Sequence, residues 1–359
     1  MHGTAVADPY RWLEDGEHAE VQEWVTAQNA FTRAALDALP ARGEWHGRLV
    51  ALMDLPVVQA AHLAGDRVVL LERQAGEQQA RLTVRPLDAP ASDVVVLRDP
   101  AESAADAAVA IDWFAVSPDG ALVAYGLSEG GTEDSVLHVA RTADGSHLDV
   151  AIAGTRAASI AWAPDAASFH YTRYPDGDQY HRSVHAHRLG AAPDGSDDPL
   201  VWAEHPTPEA WPMVAASPGG RWLLVSVSVG WSRNDVHLLD LASGEWRTLV
   251  EGVEVMSGFA FAGDDTLIGT TTHDASRGRI VTIDLTAGLP AGPSEWPTLV
   301  AEGDAVLGAP HVAGDGFYVV ASRAGVDRVV RYDLSGDGPV GVALPEVSGV
   351  IGVDTHPDS

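Results

Sequence analysis

Short apolar runs that often alternate with polar residues recur along most of the chain. Each run is about five to eight residues long, is rich in Val, Tyr, Trp and Thr, and ends at a cluster of Gly, Pro or Asp. Alternation with a period of two is typical of a β-strand that buries one face. The pattern therefore predicts many short strands joined by tight turns.

A turn signature groups these strands into repeats. It consists of small or apolar residues, then Pro or Gly, then Asp and often a further Gly, and successive copies lie about 49 residues apart on average. Its aspartates are Asp66, Asp119, Asp165, Asp264, Asp315 and Asp358. Gly219 holds the corresponding place between Asp165 and Asp264.

Four short strands per repeat of about 45–50 residues form one blade of a β-propeller. Because a blade cannot bury both of its faces alone, successive blades pack around a central axis. We therefore predict an all-β fold, a seven-bladed β-propeller over residues 45–359 with six complete blades and a truncated seventh. The main alternatives are a β-sandwich, which does not repeat a four-strand unit, and a β-helix, whose coils are much shorter.

The segment before the first repeat has a different period. Between Gly16 and Leu39 the apolar residues recur close to the helical period of 3.6. They are Val21, Trp24, Val25, Phe31, Ala35 and Leu39. Asp15 is the expected N-cap, and Pro40 is the expected stop. Residues 1–44 are thus predicted as an N-terminal helical segment, whose apolar stripe needs another surface to cover it.

Composition and charge exclude several kinds of partner. The formal net charge is −29, and all 22 basic residues are Arg. Such an acidic surface repels phosphate backbones and anionic lipids, so we predict neither a nucleic-acid nor a membrane partner. The chain has no Cys, which excludes disulfides and thiolate metal sites and favours a cytoplasmic location.

The candidate chemistry within the chain is weak. No G-x-S-x-G nucleophile elbow occurs, and the nearest serine, Ser232, lacks the second glycine. His181, His185 and His187 suggest a metal site, but no carboxylate or Cys completes a familiar spacing, and histidines on the surface of a strand are the preferred explanation. The acidic turn at residues 194–198 does not fit a calcium loop. We predict no metal and no cofactor.

Several longer strings resemble one peptidase family. They are ADPYRWLED (residues 7–15), YGLSEGGTE (125–133), YTRYP (171–175), GWSRNDV (230–236) and RGRIVTIDL (277–285). Together they are similar, in order and over essentially the whole chain, to the N-terminal part of bacterial prolyl oligopeptidases. A related oligopeptidase that cleaves after basic residues is the nearest alternative family.

The resemblance implies a two-domain serine endopeptidase that cleaves short peptides after proline. In that family a propeller gates access to an α/β-hydrolase domain, to which the N-terminal helical segment also belongs. The catalytic Ser, Asp and His follow the propeller in sequence, so this chain is expected to lack them and to be inactive alone. Its expected partners are its own C-terminal hydrolase domain and short proline-containing peptides. The alternative is a stand-alone propeller that binds peptides or proteins.

The same resemblance implies which residues face the substrate. The family's positions fall near Ala157, Ser228 and Trp231, where mammalian members carry an aromatic residue, an Arg and a Cys. The chain departs from that pattern at all three positions. Trp231 is expected to supply apolar surface and Arg233 a nearby cation, and the alternative for Trp231 is packing between blades.

Overall fold

The computed structural model describes residue 3 and residues 5–88, 93–102 and 108–355. The chain divides into two compact units. One comprises residues 1–56 with 74–76, and the other comprises residues 57–73 with 77–359. No helix of the described residues is long and apolar enough to cross a membrane.

The first unit is helical. A 3₁₀ turn at Arg11–Glu14 precedes helix α1 (Ala19–Asp37) and helix α2 (Arg42–Met53). The predicted helix is confirmed, but Asp15 is not its cap. The ring of His18 accepts the hydrogen bond from the amide of Glu20 at 3.3 Å, so the helix begins one turn later than predicted. Helix α2 was not predicted, and it crosses the boundary drawn at residue 44.

The second unit consists of antiparallel sheets in which successive strands pair. The first sheet contains β1 (Val57–Ala64), β2 (Arg67–Arg73), β3 (Arg81–Pro86) and β4 (Val95–Arg98). The second contains β5 (Val109–Val116), β6 (Leu122–Glu129) and β7 (Val136–Arg141). The third contains β8 (Ile160–Trp162), β9 (Ser168–Arg173), β10 (Ser183–Arg188) and β11 (Leu200–Trp202).

The remaining three sheets follow the same order. The fourth contains β12 (Trp211–Ala216), β13 (Trp222–Val229), β14 (Arg233–Asp240) and β15 (Trp246–Val250). The fifth contains β16 (Ser257–Phe261), β17 (Thr266–Thr271), β18 (Arg279–Asp284) and β19 (Thr298–Val300). The sixth contains β20 (Val306–Leu307), β21 (His311–Ala313), β22 (Gly316–Arg323), β23 (Val326–Tyr332) and β24 (Val340–Gly341).

The all-β propeller is confirmed, but it has six blades in the described residues and not seven. In the described part of the chain the second blade has three strands, and isolated bridges at Ile152 and His147 occupy the place of a fourth. The predicted first strand of a seventh blade does not form over residues 350–355, and Asp358 lies outside the described residues. A strand needs a partner edge, and this segment has side-chain contacts in place of one.

Those contacts lead from the sixth blade to the first. The amide of Val350 donates to Asp327 at 2.8 Å. Further along, a carboxylate oxygen of Asp354 accepts from the amide of Leu63 in β1 at 2.6 Å, and its other oxygen lies 3.2 Å from Nδ1 of His62. Polar contacts therefore join the last described segment to the first strand.

The hydrophobic core lies between the blades. Five clusters of buried side chains each combine residues of two successive blades. Trp162 and Trp202 are buried in two of them, and Trp113 is half-buried. Each blade is therefore stabilised chiefly by the blade before it and the blade after it.

The structure explains why the fourth repeat has Gly219 where the other repeats have Asp. In the second repeat Asp119 accepts hydrogen bonds within its own turn, from Ser117 at 2.6 Å and from the amide of Ala121 at 3.0 Å. In the fourth repeat the amide of Gly219 instead donates to Asp264, in the turn of the next blade, at 2.6 Å. A Cβ atom at position 219 would lie 1.9 Å from that carboxylate. Glycine therefore allows the neighbouring turn to approach.

Candidate functional site

The topology gathers the predicted substrate-facing residues at one end of the propeller. In an antiparallel meander the hairpin between the second and third strands lies at the same end as the connection to the next blade. Ala157 lies in the connection between the second and third blades, and Trp231 lies in the β13–β14 hairpin of the fourth blade. Ser228 and Arg233 flank that hairpin, in β13 and β14 respectively.

Ala157 has a left-handed backbone conformation, with φ of 43°, which is uncommon for a residue with a side chain. The residue is exposed, and its carbonyl accepts a hydrogen bond from Nη2 of Arg182. The preceding Arg156 forms an ion pair with Glu133 at 2.6 Å, in the hairpin of the second blade. These two contacts fix the connection against both neighbouring blades.

The β13–β14 hairpin presents Trp231 to solvent. This side chain is 100% exposed, so it does not pack between blades. Arg233 donates to both carboxylate oxygens of Asp235, two residues later in β14, at 3.2 Å each. That hydrogen-bonded pair raises the pKa of Arg233 above its ordinary value. The cation expected beside Trp231 therefore already has an anionic partner.

Ser228 is half-buried within the same sheet. It pairs with Trp211 of β12 on one side and with Asn234 of β14 on the other. Because both neighbouring strands enclose it, Ser228 contributes only a small polar surface.

Sequence reasoning missed the residue that connects this group. Arg182 is 1% exposed, and its Nη2 donates both to the Ala157 carbonyl and to Oγ1 of Thr172, the latter at 2.6 Å. Its guanidinium carbon lies 4.2 Å from the ring centroid of Trp211 and 5.5 Å from that of Tyr174. Burial lowers the pKa of Arg182 to about 10, because desolvation disfavours the charged form. Arg182 thus links Ala157 to the strand that pairs with Ser228.

The other candidate residues have different partners. Ser232 donates to Glu254 at 3.3 Å. His185 and His187 share one face of β10, as their pairing with Tyr171 and Phe169 shows. Within the described ranges no three His, Cys, Asp or Glu side chains are grouped to hold a metal ion.

The acidic turn at residues 194–198 has a structural role. His187 is buried, and its Nδ1 lies 3.0 Å from Asp198, which also accepts from the hydroxyl of Tyr171 at 2.8 Å. The turn at residues 194–198 therefore supplies a carboxylate to the interior of the third blade.

Comparison with known proteins supports one family. Residues 1–359 match the family described as prolyl oligopeptidase, N-terminal beta-propeller domain. The prolyl endopeptidase of Elizabethkingia meningoseptica is 25% identical over 368 residues, which cover 99% of this chain and 51% of that protein. A solved structure from a study of two prolyl endopeptidases is 29% identical, with a TM-score of 0.86 over 98% of this chain and 53% of the other.

A third relative shares the fold at lower identity. Prolyl oligopeptidase B from Galerina marginata, solved with a 35mer hydrolysis and macrocyclization substrate, is 22% identical, with a TM-score of 0.83 over 96% of this chain and 51% of the other. This chain therefore spans about half the length of the relatives that it matches. From the match over its whole length, the chain belongs to the family of prolyl oligopeptidase N-terminal β-propeller domains.

Proposed function

We propose that this chain is the substrate-gating propeller of a cytosolic serine endopeptidase that cleaves short peptides after proline. The observation that carries the proposal is the match of all 359 residues to the propeller domain of prolyl oligopeptidases. The structure from the study of two prolyl endopeptidases supports it, since it shares 29% of the residues and the fold over 98% of the chain.

The residues at the Ala157 end of the propeller would face the peptide. Trp231 offers a fully exposed indole, against which a proline ring packs well. Ala157 and Ser228 have small side chains, which would occupy little space at this end of the propeller. Arg233, held by Asp235, would present hydrogen-bond donors and little net charge. These four residues are therefore our candidates for contact with substrate.

Catalysis itself would be performed by a partner domain of α/β-hydrolase type. There a serine activated by a histidine attacks the peptide carbonyl, and an aspartate stabilises the imidazolium. The propeller would act sterically, because an enclosed chamber admits short flexible peptides and excludes folded proteins. This chain alone is expected to have no peptidase activity.

The helical unit would help to bind that partner domain. Several large apolar side chains on α1 and α2 are exposed, among them Trp24, Phe31, Leu49 and Met53. Large exposed apolar side chains on both helices are typical of a surface that another domain covers. We therefore propose that this unit belongs structurally with the hydrolase domain.

The test is hydrolysis of a blocked chromogenic peptide that ends in proline. We expect cleavage by a protein that carries both this chain and a hydrolase domain, and none by the 359-residue chain alone. Matched peptides with Ala or Arg in place of Pro are the controls. Faster cleavage of the Arg peptide would identify an oligopeptidase specific for basic residues, and peptide binding without cleavage would favour a stand-alone binding propeller. Activity of the short chain would contradict the assignment of catalysis to another domain.

A further inference from the structure

The donors of Arg182 are incompletely used. A guanidinium carries five N–H groups, and among the described residues Nη2 of Arg182 has two hydrogen-bond acceptors, the Ala157 carbonyl and Oγ1 of Thr172. Its Nε and Nη1 are buried and make no hydrogen bond of normal length and angle with a described residue, and burial lowers the pKa of Arg182 more than an interaction with the hydroxyl of Tyr174 raises it. Within residues 5–88, 93–102 and 108–355 Arg182 also forms no ion pair.

Such a group is costly to bury without compensation. A buried charge is normally paired with an opposite charge, and a buried N–H group is normally hydrogen-bonded. Two aromatic rings compensate in part, since Trp211 and Tyr174 both lie within cation–π distance of the guanidinium. The guanidinium nevertheless remains charged at neutral pH, because its pKa falls only to about 10. The arrangement therefore fits an anion-binding site.

The surroundings of Arg182 allow an anion to approach. Trp211, which covers the guanidinium, is 37% exposed, and Ala157 beside it is exposed and carries only a methyl group. Movement of one indole would open the guanidinium to ligand. Carboxylates are the anions that peptides carry, and a guanidinium binds them through paired hydrogen bonds.

We propose that Arg182 forms a subsite for an acidic side chain of the bound peptide, with Trp211 as its movable cover. The proposal rests on the proposed function in one respect, namely that the ligand is a peptide at this end of the propeller. It adds a preference that the rest of the chain would not produce, because a net charge of −29 repels acidic peptides in general.

Paired peptides test this preference. Each pair consists of two short blocked proline peptides that differ only in having Glu or Gln at one position. Three pairs place that position two, three or four residues from the proline. Binding to the 359-residue chain is measured by calorimetry, and kcat/KM is measured in the protein that also carries the hydrolase domain. We expect one Glu peptide to bind about tenfold more tightly than its Gln partner, because charge-assisted hydrogen bonds are among the strong ones.

Substitutions assign the preference to this residue. Arg182→Gln should abolish the difference between the Glu and Gln peptides, so that the two bind with the same affinity. Arg188→Gln, at the exposed end of the strand that begins directly after Arg182, is the matched control and should retain the preference. Equal loss for both peptides in Arg182→Gln would show a purely structural role and overturn the proposal.

The unaltered chain provides a second test that does not depend on a folded variant. The preference should disappear as the pH falls below about 4, where the glutamate side chain of the peptide is protonated. Equal affinity for all Glu and Gln pairs at neutral pH would overturn the proposal without any substitution. A retained Glu preference in binding, with no proline cleavage, would contradict the peptidase function and support the Arg182 subsite.

Discussion

The carboxylate of Asp354 accepts a hydrogen bond from the backbone amide of Leu63 at 2.6 Å, across 291 positions of sequence. The other carboxylate oxygen lies 3.2 Å from His62 Nδ1. One side chain thereby connects the segment after the sixth blade to the first strand of the first blade. The hydrophobic clusters, by contrast, join blades that are successive in the sequence.

Replacing Asp354 should therefore weaken the propeller. We expect Asp354→Ala to lower the free energy of unfolding by about 2 kcal/mol, since a hydrogen bond to a charged group is lost. Urea denaturation followed by tryptophan fluorescence measures the change. Asp304→Ala is the control, because that carboxylate is exposed and its ion pair with Arg323 lies at the surface. Equal effects of the two substitutions would contradict the role of Asp354.

The same carboxyl should make stability depend on pH. Burial raises the pKa of Asp354, but hydrogen bonds from His62 and Leu63 lower it more, so its pKa in the folded chain is below the ordinary value. A depressed pKa stabilises the folded state above the unfolded pKa of about 3.9, and the contribution is lost as the pH falls through the folded pKa. The difference between the original chain and Asp354→Ala should be constant near pH 7 and shrink below about pH 4. A difference that grows in acid would refute this.

A pair of substitutions tests the hydrogen bond between Gly219 and Asp264 in the turn of the next blade. Gly219→Ala should destabilise the chain by about 1–2 kcal/mol, because the new Cβ displaces the Asp264 carboxylate and breaks its hydrogen bond. In an Asp264→Ala background the same substitution should cost almost nothing. Denaturation of the two single variants and the double variant gives the coupling energy. Simple additivity would show that the two residues do not act together.

The interior of the third blade should be sensitive to loss of one hydroxyl. Tyr171→Phe leaves the buried Asp198 carboxylate, which also contacts His187, without that donor, so we expect a loss of about 1–3 kcal/mol. Tyr180→Phe is the matched control, since Tyr180 is half-exposed. Thermal denaturation of both variants measures the difference, and equal melting temperatures would contradict the prediction.

Tyr171 should also resist ionisation in base. Its burial, together with the hydrogen bond to Asp198 and the negative charge of that carboxylate, raises the pKa well above the ordinary value. The folded state disfavours the phenolate, so stability is lost as the pH rises above the ordinary tyrosine pKa of about 10. Ultraviolet titration of the original chain and of Tyr171→Phe should give the same absorbance change up to that pH. A phenolate signal from Tyr171 near pH 10 would contradict its buried hydrogen bond.

Two tryptophans of the fourth blade should behave in opposite ways. Trp231→Ala should leave the unfolding free energy within about 0.5 kcal/mol, since the side chain is fully exposed, but should raise KM in the two-domain protein. Trp222 is 0% exposed, and the guanidinium carbons of Arg221 and Arg247 lie 4.6 Å and 5.0 Å from its ring centroid. Trp222→Ala should cost about 3–5 kcal/mol. An unchanged KM in Trp231→Ala would remove Trp231 from the substrate-facing site.

The sequence predicted the strands well because they depend on local signals. Apolar alternation and the Asp and Gly turns identified most of the strands of all six blades. The failures concern pairing between distant residues. Residues 350–355 have the composition of a strand but pair with no strand of the described residues, and β20 and β21 both pair with β22, which gives the sixth blade a fifth strand.

The candidate site depended even more on distant contacts. Alternation with the buried Val184 was the available signal that Arg182 faces inward. That signal could not show which groups contact the guanidinium. They are the carbonyl of Ala157, 25 residues earlier in the chain, and the ring of Trp211 in the next blade. Likewise, Gly219 makes sense only once the turn of the following blade is placed beside it.

The sharing of each hydrophobic cluster by two successive blades affects how such a sequence changes over time. A substitution in one blade is felt by its immediate neighbours and by few residues beyond them. A blade can therefore lose part of its repeat signature when the adjacent blade supplies the missing group, as Asp264 does for Gly219. The repeats of one ring are thus free to diverge singly while the architecture is inherited unchanged.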